Sequence, residues 1–161
     1  MPAAFRITPV RTQADLRATV ALFEAYAASL PVDLAYQDFA AELAAMPGRY
    51  APPGGELLLA RNAEGAPIGC VGLRPLAPDG CCEMKRLYVS PEARGLGLGR
   101  ALALAVIQAA QVIGRRELKL DTLPSMTPAL RLYRDLGFEI VAPYYDGAPE
   151  GTCFLSLSLG T

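Results

Sequence analysis

The feature that most narrows the fold is a glycine-rich turn caught between a strand and an apolar helix. It lies in Leu87-Tyr-Val-Ser-Pro-Glu-Ala-Arg-Gly-Leu-Gly-Leu-Gly-Arg-Ala-Leu102. Leu87-Tyr88-Val89 closes a β-rich run and Ser90-Pro91 stops it. Arg94-Gly-Leu-Gly-Leu-Gly99 then leads into a helix predicted from about Leu98 to Ile113. That helix is Ala-rich and apolar almost all round, which predicts a buried, closely packed element. Glycines let the backbone turn tightly and let amide N–H groups approach a ligand. A helix start adds free N–H donors and a partial positive charge, so the segment is an anion site suited to a pyrophosphate. Arg94 and Arg100 add charge at its edge. The P-loop pattern G-x-x-x-x-G-K-[ST] is absent, and Gly95-x-Gly97-x-Gly99 is not the dinucleotide fingerprint G-x-G-x-x-G.

The rest of the chain supplies the sheet and helices that such a turn needs. Phe5 to Val10 reads as a strand. Thr12-Gln-Ala-Asp15 caps a helix marked by Leu16, Val20, Phe23, Ala27 and Leu30. Tyr36, Phe39, Leu43 and Met46 mark a second amphipathic helix, followed by a Pro- and Gly-rich loop from Pro47 to Gly55. Leu57 to Ala60, Ile68 to Leu73 and Cys82 to Val89 read as a three-stranded meander, with a hairpin turn at Asn62-Ala-Glu-Gly65. Strand alternation there places Glu83, Lys85, Leu87 and Val89 on one face. Leu118, Leu120 and Thr122 form the next strand, Ala129 to Leu136 a helix, and Phe138 to Val141 with Cys153 to Leu159 the closing strands. The order β-α-α-β-β-β-α-β-α-β-β is α+β, with one central mixed β-sheet flanked by helices. The strands joined by the helix from Leu98 are expected to be parallel.

Composition excludes several function classes. At 161 residues the chain is one domain, taken as 1–161. Hydrophobic residues at 52% against 19% charged exclude extended disorder. A net charge of −1 gives no basic footprint for nucleic acid. With no histidine, there is no His base and no His metal ligand. The four cysteines, Cys70, Cys81, Cys82 and Cys153, form no C-x-x-C, so zinc and thioredoxin-type readings fail and no metal is expected. Cys81 and Cys82 read as small strand residues. Met1-Pro-Ala-Ala-Phe-Arg6 lacks an export signal, and the most apolar stretch, Ala101 to Gly114, is too short to span a bilayer. A cytoplasmic, membrane-free location is therefore expected.

Arg94-x-x-Gly97-x-Gly99 after Leu87-Tyr88-Val89, followed by Leu132-Tyr133-Arg-Asp-Leu-Gly-Phe138, resembles the signature of the GCN5-related N-acetyltransferases, the GNAT family. The resemblance extends over nearly the whole chain in the family's element order. It implies an N-acetyltransferase that moves acetyl from acetyl-CoA to a primary amine by direct attack in a ternary complex, with no further cofactor. Main-chain groups of Leu87, Tyr88 and Val89 would pair with the pantetheine arm. Amides of Gly95, Leu96, Gly97, Leu98, Gly99 and Arg100, with Arg94 at the edge, would hold the pyrophosphate. Tyr133 falls where the family often places the acid that protonates the departing thiolate. Glu83, four residues before Leu87, matches a strand glutamate that deprotonates the amine directly or through water. Met126 stands where many members have a cofactor-contacting asparagine, a departure at that contact.

Several alternatives stay open at this stage. Glu83 either acts as the base or pairs with Lys85 or Arg86. Tyr144-Tyr145-Asp146, between the last two strands, suits a cationic amine, and equally suits a surface turn ending in Asp146-Gly147. The acceptor is a small-molecule or protein amine, and homodimers are common in the family. A donor with another acyl group, such as succinyl, and a CoA-sensing or partner-binding module without turnover are the rival functions.

Overall fold

A computed structural model describes residues 4–160 of the chain. The leaderless reading of the N-terminus rests in part on residues 1–3, which lie outside the described residues. The elements run β1 (Phe5–Pro9), α1 (Gln13–Ser29), α2 (Phe39–Ala44), β2 (Glu56–Asn62), β3 (Pro67–Leu76), β4 (Cys81–Val89), α3 (Leu98–Ile113), β5 (Glu117–Thr122), α4 (Thr127–Asp135), β6 (Glu139–Val141) and β7 (Cys153–Ser158). This is the expected α+β order, with short 3₁₀ turns between elements. All seven strands join one sheet in the order β1-β2-β3-β4-β5-β7-β6. The β4–β5 pair is parallel, as a helical crossover demands; every other neighbouring pair is antiparallel.

Helices cover both faces of the sheet. On one face α3 buries Leu98, Leu102, Val106 and Ala110 against Leu58, Val71, Leu73, Met84, Leu118 and Leu120, and Tyr133 and Phe138 extend this core toward α4. On the other face Leu22 and Phe23 of α1 pack with Tyr50, Leu57, Leu59 and Cys70. The Thr12 side chain accepts from the Asp15 amide at 3.1 Å and caps α1, a contact worth about 1 kcal/mol. None of the described helices is long and apolar enough to cross a membrane.

Two local departures from the sequence reading shape the site. The second amphipathic helix is split. Leu34–Gln37 forms a 3₁₀ turn, and Asp38, with φ of 58°, breaks it from α2. The left-handed residue turns the chain sharply, so Gln37 faces the sheet instead of lying along a helix. The second departure is in β4. Gly72 pairs with Lys85 and Cys70 with Tyr88, so Val71 faces two residues, Arg86 and Leu87. This is a β-bulge, and Arg86 at φ of 61° occupies it. The expected sharing of one face by Glu83, Lys85, Leu87 and Val89 is thereby broken. Leu87 and Val89 join the α3 core, whereas Glu83, Lys85 and Arg86 reach the opposite face and its neighbours.

Candidate active site

The parallel pairing of β4 and β5 covers only Cys81↔Glu117, Cys82↔Leu118 and Glu83↔Lys119. Beyond Glu83 the two strands part, and β4 from Met84 to Val89 has no strand on its β5 side. Strand twist and the bulge at Arg86 both act to open the seam. A cleft lies in the gap. Its walls include Met84, Lys85, Arg86 and Leu87 from β4, Leu120, Asp121 and Thr122 from β5, Met126, Ala129 and Tyr133 at α4, and Tyr36 and Gln37 from the 3₁₀ turn.

β4 runs directly into the glycine-rich turn. Gly95 and Gly97 hold φ of 86° and 77°, and a Cβ at either would meet no atom within 4 Å. The turn is thus left-handed and open on its outer side. Gly97 is the N-cap of α3, no side chain caps that helix, and the first-turn N–H groups are left for an external anion. Arg94, Leu96 and Arg100 are exposed around the turn.

On the α1–α2 face the seam is closed by a charged cluster that is almost wholly buried. Glu83 is 1% exposed. Its Oε1 accepts from Arg74 Nε at 2.9 Å and its Oε2 from the Tyr144 hydroxyl at 2.7 Å, with Lys85 Nζ 4.0 Å away. Arg86 donates to both Glu42 oxygens, at 2.7 and 3.1 Å, and Tyr50 donates to the same carboxylate. Burial pushes the Glu42 carboxyl upward, but the Arg86 hydrogen bonds and charge outweigh it and hold the group below the usual carboxylate range. Gln37 ties the cluster together. Its Oε1 accepts from Lys85 at 2.9 Å and Arg86 at 2.6 Å, and its amide donates to Asp121, Tyr145 and Tyr36. Tyr145 also donates to Asp121 Oδ2. Burial draws the Lys85 ammonium below the ordinary lysine range, opposed by Glu83 and Asp121. Burial raises the tyrosine hydroxyls, with Glu83 adding to the effect at Tyr144 and the Asp121 hydrogen bond at Tyr145.

The structure brings together most of the residues singled out from the sequence, in unequal ways. Tyr133 lines the cleft, packs edge-on to Phe138 at 5.7 Å, and burial pushes its hydroxyl well above the ordinary tyrosine range. Leu87 reaches the cleft wall, and Met126 lines it as the N-cap of α4. Glu83 lies behind the wall, bonded to Arg74 and Tyr144; of its expected partners Lys85 stands 4.0 Å away, and Arg86 binds Glu42 and Gln37 instead. Tyr144 and Tyr145 are turned inward onto Glu83 and Asp121, while Asp146 is exposed and makes no hydrogen bond or ion pair. Cys70 and Cys82 are fully buried strand residues; burial pushes the Cys82 thiol to about 12. Among the described residues no group of His, Cys, Asp or Glu side chains is arranged to hold a metal ion.

Sequence reasoning named Lys85 only as a partner for Glu83, and it missed Asp121, Gln37 and Arg74. Asp121 sits in a strand of alternating polarity, Glu117-Leu-Lys-Leu-Asp-Thr122, where alternation alone assigns it to solvent. Only its place beyond the end of β4–β5 pairing turns it toward the cleft. Two consecutive cations inside a strand, Lys85-Arg86, were the available signal for buried charge.

Comparison with known proteins agrees with this architecture. Residues 19–138 match the model of the acetyltransferase (GNAT) family. An uncharacterized N-acetyltransferase of Schizosaccharomyces pombe is 39% identical, with the alignment covering 98% of this chain and 97% of the relative. A GNAT-family acetyltransferase structure from Staphylococcus aureus superposes with a TM-score of 0.79 at 20% identity, covering 97% of this chain and 99% of that one. An acetyltransferase from Salmonella typhimurium, solved with its cofactor acetyl-CoA, has a TM-score of 0.73 at 22% identity and covers 98% and 95% of the two chains. A parted β4–β5 seam, an open glycine turn at the start of α3 and a match over most of the chain have one reading in common: the chain belongs to the GNAT family of acetyltransferases.

Proposed function

We propose that this protein transfers an acetyl group from acetyl-CoA to a primary amine by direct attack within a ternary complex. The observation that carries the reading is the parted seam: an unpaired β4 edge that runs straight into an open, uncapped helix start. The edge from Leu87 to Val89 offers main-chain partners for an extended pantetheine arm, in the manner of an added strand. The amides from Gly95 to Arg100 receive the pyrophosphate, with Arg94 and Arg100 at its rim. The binding of acetyl-CoA by the Salmonella relative supports the same donor here.

The chemistry follows from the two sides of the seam. The amine nitrogen attacks the thioester carbonyl carbon; a C–N bond forms and the C–S bond breaks. The bulge at Arg86 leaves strand amides available to polarise the carbonyl oxygen. Tyr133, buried and held neutral, gives its proton to the departing thiolate sulfur. The amine's proton passes to Glu83 through the Tyr144 hydroxyl that already donates to Oε2, or through an intervening water. In the Tyr144 route that hydroxyl hands its proton to the carboxylate as it accepts one from the amine. Holding both reactants in the seam supplies much of the rate, since proximity contributes roughly 7–11 kcal/mol.

Thiol release from acetyl-CoA, followed across a set of primary amines, tests the reading. Amine-dependent release with double-reciprocal lines that intersect supports a ternary complex. Parallel lines would indicate an acetylated enzyme instead. Acetyl-CoA binding with no thiol released for any amine would leave a CoA-binding module, and the transferase reading would fall.

A further inference from the structure

The buried charges of the site are evenly matched in sign, yet one pair among them is left incomplete. Arg86 is satisfied by Glu42 and Gln37, and Arg74 by Glu83. Lys85 is different. Its side chain is 3% exposed, and its ammonium makes one hydrogen bond, to Gln37. Asp121 Oδ1 at 3.6 Å and Glu83 Oε2 at 4.0 Å are too far to be hydrogen-bonded. Two of its three donors therefore have no protein partner among the described residues, although Lys85 lines the cleft. Asp121 is the mirror case. Its Oδ2 accepts from Tyr145 and Gln37, and its Oδ1 accepts no hydrogen bond. A buried charge with open hydrogen-bonding capacity is costly unless something fills it.

We propose, on the basis of the acetyl-transfer reading above, that the acceptor is a small amino acid or comparable zwitterion, its carboxylate held by the free donors of Lys85 and its ammonium by Oδ1 of Asp121. Each end of the ligand then meets the opposite charge, and the ligand lies across the two side chains, whose charged atoms stand 3.6 Å apart. A diamine fits less well, because its second ammonium would face Lys85 and Arg86. A polypeptide tail fits less well because Gln37 crosses the seam, bonded at once to β4, β5 and the loop before β7. Lys85 lies on the α1–α2 face of the sheet, opposite the α3 core, so its donors are directed to the acceptor side of the seam.

The test compares matched amines as acceptors of acetyl-CoA. For each side chain the set holds the free amino acid, its carboxamide, its decarboxylated amine and the dipeptide carrying it at the N-terminus, with a polyamine beside them. The free amino acid should exceed the other members by at least about tenfold in kcat/KM, mostly through KM. Lys85→Met should reduce that preference to about threefold or less, and Lys85→Arg should restore part of it. Acetyl-CoA affinity by calorimetry should be unchanged in both variants and reports their folding. Equal rates for acid and carboxamide in the wild type, or a better polyamine, would overturn the inference while leaving acetyl transfer intact. So would a Lys85→Met variant that slows all amines equally. Preference for succinyl-CoA over acetyl-CoA, lost in Lys85→Met, would assign the carboxylate to the donor and overturn it too. No release with any amine would overturn acetyl transfer and the inference together.

Discussion

Replacing Glu83 by glutamine separates a base from a buried structural anion. The change keeps shape and removes one charge from between Arg74 Nε at 2.9 Å and the Tyr144 hydroxyl at 2.7 Å. The glutamine carbonyl retains one of these bonds, and its NH₂ faces the other donor. Breaking a wholly buried pair costs about 3–5 kcal/mol. The Arg74 side chain is 21% exposed and can turn toward water, so about 2 kcal/mol is the expected stability loss, near one charged hydrogen bond. The catalytic effect is separate and larger. A positioned base contributes about 10²–10⁴-fold, and we expect about 10²–10³-fold lost from kcat/KM near neutral pH. The pH profile identifies the cause. In the variant the amine must shed its proton to solvent, so the rate should climb about tenfold per pH unit toward the amine's own pKa. Wild type should climb less steeply over the same range. Thiol-release kinetics from about pH 6.5 to 9.5 read both effects, and Tyr144→Phe should share the loss if that hydroxyl is the relay. Activity within about threefold of wild type with an unchanged pH profile would refute the base and leave Glu83 as the tie between Arg74 and Tyr144.

Three further outcomes follow from the same geometry. Tyr133→Phe should lower kcat by about 10²-fold with acetyl-CoA affinity and stability nearly unchanged, because Phe keeps the contact to Phe138; steady-state kinetics beside calorimetry check it, and normal kcat would assign the tyrosine to packing. Glu42→Gln breaks the two-point contact to Arg86, whose side chain is 2% exposed, and should cost about 3–5 kcal/mol in urea denaturation at neutral pH. Because the folded Glu42 carboxyl titrates below its reference value of 4.5, its contribution is present above that value and fades as pH falls through the folded one. The stability gap between wild type and Glu42→Gln should therefore close in acid, and a gap constant with pH would contradict the pairing.

The architecture was legible because local signals agreed with one another. Thr12 capped its helix, the Asn62–Gly65 turn joined its strands, and α3 spans Leu98–Ile113 as its apolar run predicted. What escaped the sequence depends on single residues in left-handed conformation that are not glycine. Asp38 splits the second helix and aims Gln37 at the sheet; Arg86 shifts the phase of β4 and sends Leu87 and Val89 to the opposite face from Lys85. Arginine does not announce such a backbone and aspartate does so only weakly, since both are held by partners distant in sequence: Arg86 by Glu42, and the turn at Asp38 by the cluster that Gln37 joins. Asp121 was hidden for a similar reason. Its role depends on where strand pairing stops, which is a property of two strands and not of either one.

The claim on which the account rests is that the glycine turn at the start of α3 receives the donor's pyrophosphate. Calorimetric titration of acetyl-CoA into wild type and Gly97→Asp addresses it most directly. The substitution adds a carboxylate at the helix start. Nothing lies within 4 Å of the new Cβ, and aspartate at positive φ costs only about 1–2 kcal/mol, so the fold should persist and circular dichroism can verify it. The account predicts at least a tenfold loss of affinity, about 1.4 kcal/mol. A folded Gly97→Asp protein that binds acetyl-CoA as tightly as wild type would contradict it.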